Sequence, residues 1–291
     1  AAKYSIDEEK VSEYFEINNV INGIFYVANK LYGLTFTEIT DKVPTYEPTT
    51  KTWEVKDKDG QLLAIFYGDY YPRDGKGAGA WMSNLRAQGY TTDENGKEVR
   101  VIPIVQNVLN MTKAGSNRPA LQNMDNVETM FHEFGHALHF MLHDVHYNAT
   151  YNVETDFVEL PSQINEHWAT EPEVLAVYAK HYQTGEIIPQ ELVQKLEESG
   201  KYGQGFATVE YLAASLVDMD LHTLTEVPEN LDVMQFEQEM LAKRGIPRQI
   251  FPRYRVTNFS HCMGGGYTAG YYCYMWSEVL DCDAFEAFKE T

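Results

Sequence analysis

Cysteine is scarce in this sequence: only three occur among 291 residues. Cys262, Cys273 and Cys282 form no Cys-x-x-Cys pair, and any disulfide scheme would leave one of them unpaired. We therefore expect three reduced, buried thiols, as in proteins of a reducing compartment. This shortage favours a cytoplasmic location over a secreted domain held together by disulfides.

Long apolar runs and basic charge are also lacking. No run of about 18 apolar residues exists, which predicts no membrane span, and residues 1–5 do not resemble a secretory signal. The chain has 23 Lys and Arg against 43 Asp and Glu, a formal net charge of −20. Because phosphate groups would repel such a surface, we expect no nucleic-acid or membrane partner. We expect a monomer with an acidic, solvated surface.

Hydrophobic residues make up 44% of the chain and aromatic residues 13%, which is typical of a globular protein with a substantial core. Alternating apolar and polar residues in the first third predict strands over 34–40, 53–55, 62–70 and 101–111. The turn residues at 57–60 join two of these strands into a hairpin. The sequence therefore predicts a small β-sheet before residue 112.

Helical periodicity dominates the rest of the chain. In addition to a helix over 127–141, helices are predicted over 17–32, 154–168, 170–185, 189–199, 205–224 and 232–244. An irregular stretch over 246–259 follows, and a run of three glycines at 264–266 leads into an aromatic helix. The sum of these elements predicts a mainly α-helical fold with a small β-sheet.

The most informative stretch is His132-Glu133-Phe134-Gly135-His136. Apolar residues recur at spacings of three and four over 127–141, which predicts a helix, and Asp125-x-x-Glu128 resembles a capping box at its start. Two histidines four residues apart lie on one face of a helix. Two neutral imidazoles at this spacing can hold one Zn²⁺ at about 2.0–2.1 Å each.

Glu133 follows the first histidine directly, where its carboxylate can reach a water on the metal rather than the metal itself. Zinc lowers the pKa of that water toward ~7, and a carboxylate base can then remove its proton. With 9 His and 43 Asp plus Glu in the chain, chance would supply roughly 0.04 such patterns. We therefore interpret the stretch as a metal site rather than as an exposed polar helix.

A catalytic zinc usually takes three protein ligands and keeps one position for water. Glu159 lies far enough after His132 for a turn and a second, antiparallel helix, which makes it a candidate third ligand. Other carboxylates compete with it: Glu154, Asp156 and Glu166. Because Asp156 and Glu166 share its predicted helical face, either could instead accept the N–H of a zinc-bound histidine.

Polar aromatic residues surround the glycine run near the C-terminus: His261, Tyr267, Tyr271 and Tyr274. A tyrosine hydroxyl or an imidazole can stabilise the oxyanion that forms during attack on an amide. Gly265 and its neighbours would let an extended peptide approach the main chain closely. Tyrosines at helical spacing are also common core residues, so packing is the competing interpretation.

Three long stretches together resemble the thimet oligopeptidase family of zinc metallopeptidases. They are HEFGHALH over 132–139, DFVELPSQINEHW over 156–168 and FSHCMGGGYTAGYYCYMWSEV over 259–279. The YPRDGK stretch over 71–76 is also similar. Within that family, the triple glycine and the sequence INEHWAT over 164–170 are most similar to those of the bacterial peptidyl-dipeptidase, or dipeptidyl carboxypeptidase, branch.

The resemblance implies a set of roles for individual residues. The zinc ligands would be His132, His136 and Glu159, with Glu133 as general base and acid. Tyr274 would donate a hydrogen bond to the oxyanion, while His261, Tyr267 and Tyr271 would contact the substrate. One Zn²⁺ per chain and short, unstructured peptide substrates are implied as well.

The resemblance also implies a fold and an extent. Members are zincin-type helical metallopeptidases whose catalytic domain forms one lobe of a two-lobed channel. Because members are more than twice as long, residues 1–291 are expected to be the catalytic core of a longer protein, without its N-terminal lobe and C-terminal end.

The leading hypothesis is zinc-dependent hydrolysis of short peptides with release of C-terminal dipeptides. Such an enzyme must hold the terminal carboxylate of its substrate, and Arg253 or Arg255 could do so with two parallel hydrogen bonds. Two alternatives stay open. One is an endo-acting oligopeptidase of the same family, and the other is a non-catalytic core that binds zinc or peptides without turnover.

Overall fold

The computed structural model describes residues 6–150 and 152–290. The chain divides into two compact units. The first comprises Ala1–Asn152, Leu160–Lys195 and Asp281–Thr291, and the second comprises Val153–Glu159 and Leu196–Leu280. The secondary structure is mostly helical with a small sheet, which confirms the predicted fold class.

The strands all lie in the first unit. They are β1 (Thr35–Glu38), β2 (Lys51–Lys56), β3 (Leu62–Asp69), β4 (Trp81–Arg86), β5 (Gly89–Thr92), β6 (Glu98–Val101) and β7 (Ile104–Val108). Five of them form a sheet in the order β1-β2-β3-β7-β4, while β5 and β6 pair separately. Only β3 and β7 run parallel; the other pairs are antiparallel. The predicted hairpin is confirmed as β2 and β3. The strand predicted over 101–111 corresponds to β7, whereas β6 overlaps that range only at Val101 and was not predicted.

Ten α-helices lie within the described ranges. They are α1 (Glu8–Ser12), α2 (Ile17–Tyr32), α3 (Met124–Met141), α4 (Leu160–His167), α5 (Pro172–Tyr178), α6 (Gln190–Gly200), α7 (Gln204–His222), α8 (Val233–Lys243), α9 (Ser260–Met263) and α10 (Cys273–Glu290). Short 3₁₀ turns occur at Thr40–Lys42, Asn148–Thr150 and Val256–Asn258. None of the helices in the described part of the chain has the length and apolar character needed to cross a bilayer.

Three sequence-based expectations about helix boundaries are wrong. Helix α3 is capped by Asn123, whose side chain accepts the N–H of Asn126, and not by Asp125. The helix predicted over 154–168 begins only at Leu160, and that predicted over 170–185 ends at Tyr178. Pro161 stands near the start of α4, where its fixed φ suits the first turn but not a longer preceding helix. Helix α5 ends where Ala179, with φ −80° and ψ 71°, leaves the helical conformation.

Aromatic side chains fix the zinc-motif helix α3 on the sheet of the first unit. Phe134 meets Phe66 of β3 edge-on, with ring centroids 5.3 Å apart. Phe25 of α2 and Phe36 of β1 also contact Phe134, and all three of these pairs have centroids within 6 Å. Because Phe134 faces this core, His132 and His136 are left to another face of the same helix.

The second unit has two small hydrophobic clusters. One joins α7 to α8 and contains Ala213, Val217, Leu241 and Val256. The other packs α7 against the segment after residue 258 and contains Ala214, Phe259, Cys262 and Tyr271. The aromatic stretch that the sequence identified is therefore part of a core as well as a candidate site. Cys262 and Cys273 are buried as expected, whereas Cys282 is exposed, contrary to expectation.

Candidate metal centre

The two histidines of the zinc motif project from one face of α3. Their ring centroids are 4.9 Å apart and the ring planes lie at 82° to one another. His136 is buried, with 8% of its surface exposed, and His132 is partly buried. The helix was predicted from its periodicity, and this part of the prediction is confirmed.

Glu159 joins the histidines. One ligand atom from each of His132, His136 and Glu159 lies within 4.8 Å of the others. Glu159 itself is 1% exposed. Two imidazoles and one carboxylate form the donor set of a catalytic zinc site with one position left for water, so the chemistry of these side chains fits the ion. Among the carboxylates that the sequence left open, the structure brings this one to the histidines.

A second carboxylate, that of Glu166, contacts the Nδ1 side of the His132 ring. The Nδ1 of His132 lies 2.5 Å from Oε1 of Glu166, and its N–H donates this hydrogen bond. The bond fixes the tautomer in which Nε2 carries the lone pair that a metal needs. Asp156, the other candidate for this role, instead accepts a hydrogen bond from the hydroxyl of Tyr272 at 3.2 Å.

Gly135 allows α4 to lie directly on α3. A Cβ at this position would be 2.5 Å from the carbonyl oxygen of Pro161 and 2.7 Å from the Cα of Ser162. The helices are further joined by Asn165, whose side-chain amide donates to the carbonyl of Phe131 at 2.6 Å. This close approach carries Glu166 to the histidine face of α3.

A buried and a partly buried carboxyl group complete the surroundings of the histidines on α3. Glu133 is only 5% exposed, as a base shielded from bulk water would be. Glu128, one turn before His132, has its pKa raised to about 7 by burial and by the nearby negative charges of Glu166 and Asp125. Sequence reasoning treated Glu128 only as a capping residue; no pattern in the sequence indicated its burial.

In the second unit, Glu159 is held by a tyrosine. The hydroxyl of Tyr267 donates to Oε1 of Glu159 at 2.6 Å. Tyr267 was expected to contact substrate, but in this structure its hydroxyl is directed to the proposed ligand. Its ring stacks on that of Tyr274, with centroids 5.5 Å apart and planes at 16°.

The remaining predicted aromatic residues cluster with these two. His261 lies between Tyr267, Tyr271 and Tyr274, at ring-centroid distances of 5.8, 5.4 and 6.3 Å. Burial and the positive charge of Arg253 lower the pKa of His261, against an opposing effect of Glu159. The buried Nδ1 of His261 forms no hydrogen bond with any described residue. A neutral imidazole therefore stands among three tyrosines.

The tyrosines of this cluster are kept protonated. Burial raises the pKa of Tyr274 well above its usual value, and the negative charge of Glu159 adds to the effect. Burial raises the pKa of Tyr271 as well, against an opposing effect of Arg253. Both hydroxyls therefore remain hydrogen-bond donors throughout the physiological pH range.

Glycine is needed at position 265 for a local structural reason that the sequence did not suggest. A Cβ there would lie 2.9 Å from the Cα of His261 and from the carbonyl oxygen of Ser260. The N–H of Gly265 also donates to that carbonyl at 2.8 Å. The glycine is thus required by the tight turn after α9, whether or not a peptide approaches it.

The structure distinguishes the two candidate arginines. Arg255 donates through Nε to the buried carboxylate of Glu237, which also accepts the N–H of Val256. Arg253 has no such partner among the interactions described, and its charge acts on His261 and Tyr271. Arg253 is therefore the one that remains beside the aromatic cluster.

A second group of potential metal ligands occurs in the first unit: His167, Asp281 and Cys282. Nε2 of His167 is already hydrogen-bonded to the buried carboxylate of Asp281 at 2.7 Å. Asp281 and Cys282 are consecutive residues of α10, and consecutive helical side chains diverge. We interpret this group as a structural link between α4 and α10.

The mostly helical fold, its small sheet and the histidine pair supported by two carboxylates agree with the metallopeptidase class that the sequence predicts. The chain belongs to peptidase family M3, since the model of that family matches residues 1–291. This match confirms the resemblance drawn from the sequence. Members of the family are zinc-dependent in general, and the His/Glu group described above could bind such an ion.

Individual relatives agree with this assignment. The chain is 43% identical to a dipeptidyl carboxypeptidase of Escherichia coli (strain K12), over 99% of this chain and 42% of that protein. It is 41% identical to the dipeptidyl carboxypeptidase of Salmonella typhimurium and 35% identical to oligopeptidase A of E. coli, with the same coverage. The chain therefore spans about two fifths of the length of the curated relatives it matches.

Proposed function

We propose that this chain catalyses zinc-dependent hydrolysis of peptide bonds in short peptides. The observation that carries the proposal is the convergence of His132, His136 and Glu159, with Glu166 bonded to the back of His132. Residues 1–291 would act as the catalytic core of a longer, cytoplasmic protein and hold one Zn²⁺. The share of its relatives that the chain spans supports this division.

Four residues, three of them on α3, would bind the metal or transfer a proton. His132, His136 and Glu159 would hold the zinc ion, which when bound polarises the scissile carbonyl and acidifies water. Glu133 takes a proton from the attacking water and returns it to the leaving amine. Its burial favours this role, because a shielded carboxylate transfers protons without competition from bulk solvent.

Tyr274 and His261 serve the oxyanion and the substrate. The protonated hydroxyl of Tyr274 donates a hydrogen bond to the developing negative charge, an effect worth about 10²–10³ in kcat in comparable sites. His261 and Tyr271 contact the peptide, and Gly265 leaves the neighbouring backbone accessible to it. Tyr267 contacts the peptide from the same cluster while orienting Glu159.

The substrate is anchored through its free C-terminus, so that dipeptides are released. Arg253 would hold the terminal carboxylate, since Arg255 is bound to Glu237. Two relatives bearing the name dipeptidyl carboxypeptidase, at 43% and 41% identity, support this specificity. A peptide with an amidated C-terminus tests it: the proposal expects its cleavage to be strongly reduced relative to the free acid.

The alternative within the family is an endo-acting oligopeptidase, which the 35% identity to oligopeptidase A favours. Equal cleavage of the amidated and free peptides would support that alternative and exclude carboxylate anchoring. Size and charge of the substrate would then replace its C-terminus as the basis of selection.

The other alternative is a core that binds zinc or peptides without turnover. The variant Glu133→Gln decides this point. It should retain zinc, because Glu133 is not among the three proposed ligands, and lose about 10²–10⁴ in kcat or more. Metal content and hydrolysis of a fluorogenic peptide are measured on the same preparations. Hydrolysis that is equal in the two proteins would refute catalysis by this site.

A further inference from the structure

A buried aspartate in the second unit lies behind the tyrosine cluster. Asp218 belongs to α7 and has no exposed surface. Its carboxylate accepts the backbone N–H of Ala269 at 3.0 Å through Oδ1 and that of Tyr271 at 3.0 Å through Oδ2. One side chain thus holds the main chain on both sides of Gly270.

Two side chains complete the contacts of this carboxylate. Nδ1 of His222 lies 2.8 Å from Oδ1 of Asp218 and also donates to the carbonyl of the same residue at 2.9 Å. Burial and the negative charge of Asp218 raise the pKa of the Cys262 thiol, which is also buried in the second unit. Three N–H groups therefore surround a carboxylate whose transfer from water would otherwise be costly.

The backbone that Asp218 holds has an unusual conformation. Ala269 has φ of 53°, in the left-handed region that residues with a Cβ adopt at a cost of about 1 kcal/mol. Such a conformation persists only where surrounding contacts enforce it. The two hydrogen bonds to Asp218, directly at Ala269 and two residues later, supply that constraint.

The segment held in this way carries the proposed substrate-contacting tyrosines. Tyr271 follows the bend directly, and the hydroxyl of Tyr211 donates to its carbonyl. Tyr267 lies just before the bend, bonded to Glu159, and stacks on Tyr274 just after it. A change in the path of residues 268–272 would therefore move all three tyrosine rings.

We propose that Asp218 is a positioning residue of the active site, which sets the placement of the tyrosine hydroxyls by fixing the bend at Ala269. This inference rests on the proposed peptidase function for its effect on catalysis. The structural part, that Asp218 determines the conformation of the segment, holds independently of that function.

The structural part is tested by amide hydrogen exchange on Asp218→Asn. The amide would place an N–H₂ opposite one of the two backbone N–H groups, so exchange over residues 267–273 should become at least about tenfold faster. Glu237→Gln is the matched control, because Glu237 is also buried in the second unit and accepts a backbone N–H. Equal exchange over 267–273 in wild type and Asp218→Asn would overturn the proposal.

The catalytic part is tested by a double-mutant cycle with Tyr274→Phe. If Asp218 acts through the tyrosine hydroxyl, Asp218→Asn lowers kcat by about 100-fold in wild type, as for a 1 Å misplacement, and by much less in the Phe variant. Zinc content should be unchanged, and Glu237→Gln should lower thermal stability without this loss of kcat. An equal fold-loss in both backgrounds would overturn the proposal that Asp218 acts through the hydroxyl of Tyr274.

A second variant covers the case in which Asp218→Asn does not fold. His222→Leu removes one donor at the partly exposed side of the carboxylate and leaves both backbone bonds in place. It should shift exchange and kcat in the same direction by a smaller factor, and no shift in either would overturn the proposal. If Tyr274→Phe itself leaves kcat unchanged, the proposed role of that tyrosine is wrong, whereas the exchange result still decides the role of Asp218.

Discussion

A carboxylate that binds the far nitrogen of a metal-ligating imidazole holds both the ring orientation and the tautomer. Glu166 has this relation to His132, at 2.5 Å. We expect Glu166→Ala to weaken zinc binding by about 10–100-fold, the usual effect of losing such a partner. Competition with a chromophoric chelator measures the dissociation constant directly.

Asp156→Asn is the control for this prediction, since the sequence offered both carboxylates for the same role. Asp156 accepts a hydrogen bond from the hydroxyl of Tyr272. Its variant should bind zinc as wild type does. Equal weakening in the two variants would mean that general loss of negative charge, and not the bond to His132, supports the ion.

Variants of the two arginines should have different effects: loss of Arg253 should change substrate selection, and loss of Arg255 should change stability. Arg253→Met is expected to lower kcat/KM for free peptides by about 10-fold or more, as for loss of a charged hydrogen bond, and to leave amidated peptides unaffected. Arg255→Met leaves Glu237 buried without its cation and should lower Tm without changing the ratio of free to amidated cleavage. Kinetics with the matched peptide pair measure both ratios; an unchanged ratio for Arg253→Met would exclude its role as anchor.

At the scale of elements, the contact of α4 with α3 depends on Gly135. Gly135→Ala would place a methyl group 2.5 Å from the carbonyl oxygen of Pro161, and backbone atoms cannot yield as a flexible side chain does. We expect α4 to be displaced, Tm to fall and zinc affinity to fall with it, because Glu166 lies on α4. Thermal unfolding and zinc titration measure the two effects.

Gly205→Ala is a suitable control for that substitution. Gly205 also lies within a helix, α7, but a Cβ there would meet no atom within 4 Å. Alanine has the higher helix propensity by about 1 kcal/mol, so this variant should be as stable as wild type or more so. A fall in Tm for both variants would show that helical glycine itself, and not the packing of α4, is responsible.

Helix α3 carries a further histidine near its end, His139, whose environment makes stability depend on pH. Burial lowers the pKa of His139 to about 4, with further contributions from His143 and His136. Because the unfolded chain takes up this proton near pH 6.5 and the folded chain only near 4, stability must fall as pH decreases between these values. His139→Leu should therefore lose less Tm over this interval than wild type.

This comparison is made in the presence of a chelator, so that loss of zinc at low pH does not contribute. The exposed His146 provides the control, since His146→Gln should follow the wild-type curve. A parallel decline in wild type and His139→Leu would show that the burial of His139 has no net effect on acid stability.

Elements with long, regular periodicity were the ones that the sequence predicted well. Helix α2 was predicted with its bounds, and α3 from its apolar spacing. The strands β4 and β5 were missed, because their exposed residues give no alternation and they are specified by pairing with β7 and β6. The turns before Leu160 were taken for helix, since sequence spacing does not show where tertiary contacts begin.

For the whole molecule, the local part of the site could be predicted and the distant part could not. The spacing within 132–136 fixes two donors on one helical turn, whatever the rest of the chain does. The bond from Tyr267 to Glu159 joins residues 108 positions apart. The contacts of Asp218 with 269–271 are of the same kind. No periodicity specifies such pairs, because they depend on how elements pack rather than on the pattern within one element.

The last prediction concerns stability of the whole chain and needs no turnover. A ligand that binds only the folded state stabilises it by RT ln(1 + [L]/Kd), about 2.7 kcal/mol at one hundred times Kd. Each kcal/mol raises Tm by about 2–4 °C for domains of somewhat smaller size. Wild type and Glu133→Gln should therefore gain Tm equally with added zinc, because both keep the three proposed ligands. Glu159→Gln and His136→Ala should gain much less, and a full zinc response in Glu159→Gln would remove that residue from the coordination sphere while leaving the histidine pair in it.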